Sequence, residues 1–154
     1  VDDFWFESDD PAITPGWSLL EFLILIGADE FRVSFLYVSG GGGGQEMCDR
    51  LFSRLEFALI GERVRECTVT AAGASNPRPV EVWRLDVGSL GALCEIMPAG
   101  VMGPAHMELA SAEDLSVYRQ GQLLFGTVSH EQIAFARLTE EEWEQWNAWS
   151  AAHR

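Results

Sequence analysis

Lysine is absent from this 154-residue chain; all ten basic residues are Arg. That absence removes the amine needed for a Schiff base, a lysine nucleophile or a Walker-type phosphate lysine. Basic residues are also few, ten against 24 Asp and Glu, which leaves a formal net charge of -14 and a pI near 4.4. A surface of that sign repels phosphates and anionic lipid headgroups, so neither nucleic acid nor a membrane is an expected partner. The same field accelerates encounter with a basic protein.

Cysteine and histidine are scarce too. Cys48, Cys67 and Cys94 are widely spaced and form no CxxC pair, which argues against a disulfide framework and a structural zinc knuckle and fits a reducing, cytoplasmic setting. No stretch approaches the ~18 consecutive apolar residues of a membrane-spanning helix, and no signal-peptide pattern is visible. The three histidines, His106, His130 and His153, are scattered. His106 and Glu108 would share one face of a strand, and Ser129, His130 and Glu131 fall at a strand end, but neither group matches a metal or triad pattern. Carboxylates are so numerous that no single pair stands out as acid and base. No cofactor, metal or catalytic residue is assigned on these grounds.

What is present suffices for one domain. A hydrophobic content of 47% over 154 residues builds an ordinary single core. Residues 2–7, DDFWFE, read as a first strand of aromatics wrapped in acids. Residues 17–26 are apolar almost all round and leucine-rich, with Pro15 before them and Gly27 after, which predicts a buried helix. The β-branched and aromatic run 31–38 predicts a central strand. Residues 45–60 repeat with the period of an amphipathic helix ending at Gly61. The two helix exits, LEFLILIGADEFRV and LEFALIGERVRE, resemble one another, as two helices capped by the same Ile-Gly device would.

From Arg63 onward the pattern changes to short strands. They are expected at 63–71, 80–87, 106–110, 115–119, 123–129 and 133–138, with GASNPRP as a loop and a hairpin turning at Gly121. Residues 90–102 fit a helix, a strand or a covering loop equally well. The end of the chain is the best defined part. Thr139 with Glu142 three residues on makes a capping box, and a helix from 140 to about 153 follows. The expected fold is a two-layer α+β domain of about three helices on a mainly antiparallel sheet, closed by an amphipathic terminal helix.

Two segments carry the spacing of known chemistry. Gly40 to Gly44 lie between a predicted strand and a predicted helix, where a phosphate-cradling loop would sit. No GK[ST] follows, Gln45 occupies the position of a further glycine, and Glu46 and Asp49 would oppose an anion, so a flexible loop or linker is the better reading. Cys48 and Arg54 satisfy the Cys-x5-Arg spacing of cysteine phosphatases. The residues between them read as helix, however, and a helix would separate the thiolate from the guanidinium by more than a turn.

Two features point to a partner. Trp143, Trp146 and Trp149 recur every third residue and fall in one sector of the terminal helix. They form either its docking face on the sheet or a partner surface, a homodimer contact included, and exposure of at least two of the indoles would favour the second. The acids Asp2, Asp3, Glu7, Asp9 and Asp10 cluster beside aromatic residues with no local structural reason for their presence. The expected function is a non-catalytic acidic binding domain of immunity-protein or inhibitor type that docks a basic protein. The alternatives are a small enzyme or ligand-binding domain with its site near the glycine loop, and a structural subunit that self-associates through the tryptophan helix.

Overall fold

The structure, a computed structural model, describes residues 1–7, 10–11, 17–35, 53–60, 64–69, 75–96, 112–128 and 131–153. Among the described residues, seven strands form one antiparallel sheet: β1 (Asp2–Glu7), β2 (Glu30–Phe35), β3 (Val64–Val69), β4 (Ser75–Arg84), β5 (Ala112–Arg119), β6 (Gln122–Val128) and β7 (Ile133–Leu138). Their order across the sheet is β1-β7-β6-β5-β2-β4-β3. The helices α1 (Ser18–Leu25), α2 (Val87–Ile96) and α3 (Glu140–Ala152) accompany it among the described residues, with helical residues 53–55 running into a 3-10 turn at Glu56–Ala58. The expected two-layer α+β arrangement with a terminal helix is the arrangement found.

Alternation along the strands divides the sheet into two faces. Phe4, Phe6, Phe31, Val33, Trp83, Leu115, Val117, Phe125, Ala134, Ala136 and Leu138 share one face through the register of successive strands. All but the half-buried Phe4 are buried, and they form the core with Leu19, Leu20, Phe22 and Leu23 of α1, Leu90 and Leu93 of α2 and Trp146 of α3. The opposite face carries Asp3, Trp5, Glu7, Phe135, Arg137, Arg32 and Tyr118.

Local signals explain the element ends. At the end of α1, Gly27 takes φ +99°, its N–H donates to the Ile24 carbonyl at 3.0 Å and the Ala28 N–H to the Leu23 carbonyl at 2.8 Å. This is the paired closure of a Schellman motif, which needs the left-handed residue that glycine supplies without strain. The expected turn between β5 and β6 is present, with Gln120 at φ 49° and Gly121 at φ 76°, the double-positive geometry of a two-residue hairpin. Asp29 supports it by accepting the Gln120 N–H at 3.3 Å. Buried Thr127 bonds to Leu115 across β5 and β6 where the regular pairing stops, its hydroxyl accepting the Leu115 N–H at 2.9 Å.

Three boundaries differ from the sequence expectation. The second helix gives way at Ala58, two residues before Ile60, because Leu59 is drawn into a bridge with Trp83 and the Ile60 N–H donates to the Val82 carbonyl. The GASNPRP loop is mostly strand, since β4 begins at Ser75. Pro77 and Pro79 are tolerated there because pairing with β2 ends at Val80, so that part of β4 has β3 as its only paired neighbour among the described residues. Val87 starts a helix instead of ending a strand. Asp86 caps α2: its carboxylate accepts the Ser89 N–H at 2.9 Å while the Ser89 hydroxyl accepts the Asp86 N–H at 3.0 Å. The undecided stretch from 90 is therefore helical as far as Ile96. Residues 97–111, and the 106–110 strand expected there, lie outside the described residues.

Candidate functional site

Three expected features fall outside the described residues: the glycine run 40–44, Cys48 of the Cys-x5-Arg spacing, and His106 with Glu108 and His130. Arg54, the other half of that spacing, forms an ion pair with Glu95 of α2. Cys94 is a free thiol on α2 whose pKa is pushed up by partial burial and by the neighbouring Glu21 carboxylate, the reverse of an activated nucleophile. His153 caps the end of α3, stacking on Trp149 at 4.0 Å. Among the described residues, no group of three or more His, Cys, Asp or Glu side chains could hold a metal ion.

The tryptophan stripe faces inward. Trp146 is 1% exposed and packs on Phe22 at 5.3 Å between ring centroids. Trp143 stacks on Phe4 at 4.1 Å and Trp149 lies 6.0 Å from Phe22, both half-buried against the core. No indole of the stripe is exposed, which favours the helix-docking reading over a partner surface.

The acidic N-terminal segment has the opposite character. Because β1 alternates, Phe4 and Phe6 turn towards α3 while Asp3, Trp5 and Glu7 turn away on the other face of the sheet. Trp5 is 61% exposed, a large aromatic surface held in open solvent by a regular strand. Asp2, Asp3 and Glu7 are exposed around it, Asp10 is half-buried, and Asp9 lies outside the described residues. Trp5 is not loose. Its ring lies 5.2 Å from that of Phe135 on β7, and Phe135 in turn lies across Gly126 of β6, where a Cβ would meet the Phe135 ring at 2.8 Å. The glycine provides the space that lets the two aromatics lie along the sheet.

Topology brings the two acidic ends of the chain together. In the antiparallel register Asp2 pairs with Leu138 and Asp3 with Arg137, so the start of β1 lies beside the point at which α3 begins with exposed Glu140 and Glu141. Arg137 is the one cation paired with this group among the described residues, donating to Asp3 Oδ1 at 2.8 Å. That hydrogen bond and the Asp3 charge raise the Arg137 pKa further above its ordinary value, and the guanidinium stays charged. A surface pair of this kind contributes little to stability. The corner therefore combines an exposed indole, a surplus of carboxylates and an edge strand.

Comparison with known proteins finds no matching family model, no similar curated protein and no similar solved structure. Among the described residues no helix is long and apolar enough to cross a membrane.

Trp5 is the functional candidate that the sequence left unmarked. Composition marks the acids on either side of it, and spacing marks the three indoles of α3. The signal was in DDFWFE all along, since strict alternation places Trp5 with Asp3 and Glu7 and apart from Phe4 and Phe6.

Proposed function

We propose that this chain is a non-catalytic, acidic protein-binding domain of immunity-protein or inhibitor type, which docks a basic protein partner at the β1 corner of its sheet. One observation carries the reading: a 61% exposed tryptophan stands between two carboxylates on the same face of an edge strand. Exposed aromatics are costly to keep in water and are the residues that dominate binding energy at interfaces. The flanking carboxylates favour a cationic partner, and the net charge of -14 steers it from a distance.

The test is a pull-down in low-salt buffer with the intact chain as bait, run beside Trp5→Ala and the triple variant Asp2→Asn, Asp3→Asn, Glu7→Gln. The reading expects a basic protein retained by the parent chain, released as salt is raised, and lost from both variants. Recovery of the same proteins by all three baits would overturn it.

A further inference from the structure

We infer that the partner is captured by strand addition: an extended segment with Arg or Lys at alternate positions pairs with the free edge of β1 and extends the sheet. The inference rests on the acidic docking reading and specifies how the corner binds. β1 is the terminal strand of the seven, and its six residues pair with β7 along one edge from Asp2↔Leu138 to Glu7↔Ile133. Among the described residues no strand pairs with its other edge. That edge presents main-chain donors and acceptors in strand geometry, the template that β-augmentation uses.

Charge selects the occupant. On the face away from the helices, Asp3, Trp5 and Glu7 follow one another at alternate positions, with Asp3 and Glu7 roughly 13 Å apart along the strand. A paired strand would set its own alternate side chains beside these three. Basic residues there meet the two carboxylates, and a guanidinium beside Trp5 gains a cation-π contact. The protein already makes a contact of that type on the same face, where Arg32 lies 4.1 Å from the Tyr118 ring centre. A second copy of this chain fits poorly. Antiparallel self-pairing that puts Trp5 against Trp5 also puts Asp3 against Glu7 twice, and like charges directly opposite destabilise a pair. Each copy would also bring a net charge of -14.

The test uses a synthetic hexapeptide of alternating arginine and valine and the same peptide N-methylated at every residue, which keeps its charge but cannot pair along an edge. Both are titrated calorimetrically into the intact chain in low-salt buffer, and amide hydrogen exchange of β1 is followed by NMR. The expected result is that the N-methylated peptide binds at least about tenfold more weakly, the loss of several main-chain hydrogen bonds. The unmethylated peptide should also slow exchange of β1 amides on the outer edge, and Trp5→Ala should weaken it.

Equal binding of the two peptides, with Trp5 and the β1 acids still required, would overturn strand addition and leave acidic docking standing. No binding of either peptide at low salt would sink both readings. A dimer of the chain alone that dissociates on Trp5→Ala would also overturn the proposal, since the edge would then be taken by a second copy.

Discussion

Arg119 and Glu142 hold three separate parts of the chain at one point. Arg119 Nη1 donates to Glu142 Oε1 at 2.5 Å and to the Ile26 carbonyl at 3.0 Å. The other oxygen of Glu142 accepts the Thr139 N–H at 3.0 Å, while the Thr139 hydroxyl accepts the Glu142 N–H at 3.2 Å. A single carboxylate thus completes the capping box of α3 and anchors the end of β5, and through Arg119 it reaches the C-terminal carbonyl of α1. Both side chains are more than two-thirds buried, so solvent screens the pair less than it would a surface pair.

Removal of the cation should be costly. Arg119→Met leaves a part-buried carboxylate without its charged partner and the Ile26 carbonyl without that donor, a loss of about 1–3 kcal/mol for hydrogen bonds to a charged group. Urea unfolding followed by far-UV circular dichroism should show a lower midpoint and an unchanged slope. A midpoint equal to that of the parent would show that the pair contributes nothing.

The same pair gives stability a pH dependence of defined sign. Burial acts to raise the Glu142 pKa, but the hydrogen bond from Arg119, that from Thr139 and the Arg119 charge outweigh it and hold the carboxyl below its ordinary 4.5. A group depressed in the folded state binds its proton more readily when unfolded. Its contribution is therefore full above about the ordinary value and is lost as pH falls through the folded value. The stability difference between the parent chain and Glu142→Gln should be widest near neutral pH and should shrink below pH 4.5. A difference that stays constant down to pH 2 would contradict this assignment.

Helix α2 supplies a test of capping. Asp86 is held below its ordinary pKa first by the hydrogen bond from Arg84 and then by that from the Ser89 N–H, and the charged form is the one that caps. Ser89→Ala removes the hydroxyl that accepts the Asp86 N–H, in a side chain that is fully buried. Loss of one half of a capping box costs about 1 kcal/mol, readable as a lower thermal midpoint. No change would mean that the N–H finds another acceptor.

Much of this architecture was legible in the sequence because it is written locally. The strand 2–7, the glycine end of α1, the turn at Gly121 and the Thr139 box each depend on a few neighbouring residues, and each forms as expected. The start of α2 was also written locally, in Asp86 and Ser89, but the β-branched and apolar residues interspersed with charges from Val80 to Val87 masked it by continuing a strand pattern past the cap. What was not legible depends on distant pairing. Leu59 leaves its helix for Trp83, and β1 pairs with a strand more than a hundred residues away. Only that pairing makes β1 an edge and turns Trp5 to solvent while sequestering the α3 indoles. The acidic half of the corner was visible as composition; its aromatic centre needed the topology.

Gly126 and Phe135 offer a test of how the corner is built. An alanine methyl at 126 would stand 2.8 Å from Phe135 Cζ and 2.9 Å from Cε1, so the ring must swing aside. Since the obstruction is the far end of a half-buried side chain, Gly126→Ala should cost only about 1 kcal/mol, at the low end for overpacking. Much of that cost should vanish when Phe135→Ala is added, giving a coupling of about 0.5 kcal/mol or more in a double-mutant cycle. Additive effects would mean that the ring and the glycine do not constrain one another.

The six tryptophans should separate by role when they are removed one at a time. Trp146 is buried at the centre of the α3 contact, and Trp146→Ala opens a large cavity, with a loss of about 3–5 kcal/mol expected for a core aromatic. Among the described residues its indole N–H has no hydrogen-bond partner, so Trp146→Phe, which keeps an aromatic ring against Phe22 and removes that unsatisfied donor, should retain far more stability than the alanine variant. Trp5→Ala should behave differently. The side chain is mostly in water already and its ring contact with Phe135 is worth about 0.5–1.5 kcal/mol. Urea unfolding of the three variants measures the contrast directly. A residue that adds little to folding but keeps a large apolar surface exposed beside carboxylates is available for binding, and a severe stability loss in Trp5→Ala would instead assign it to the fold.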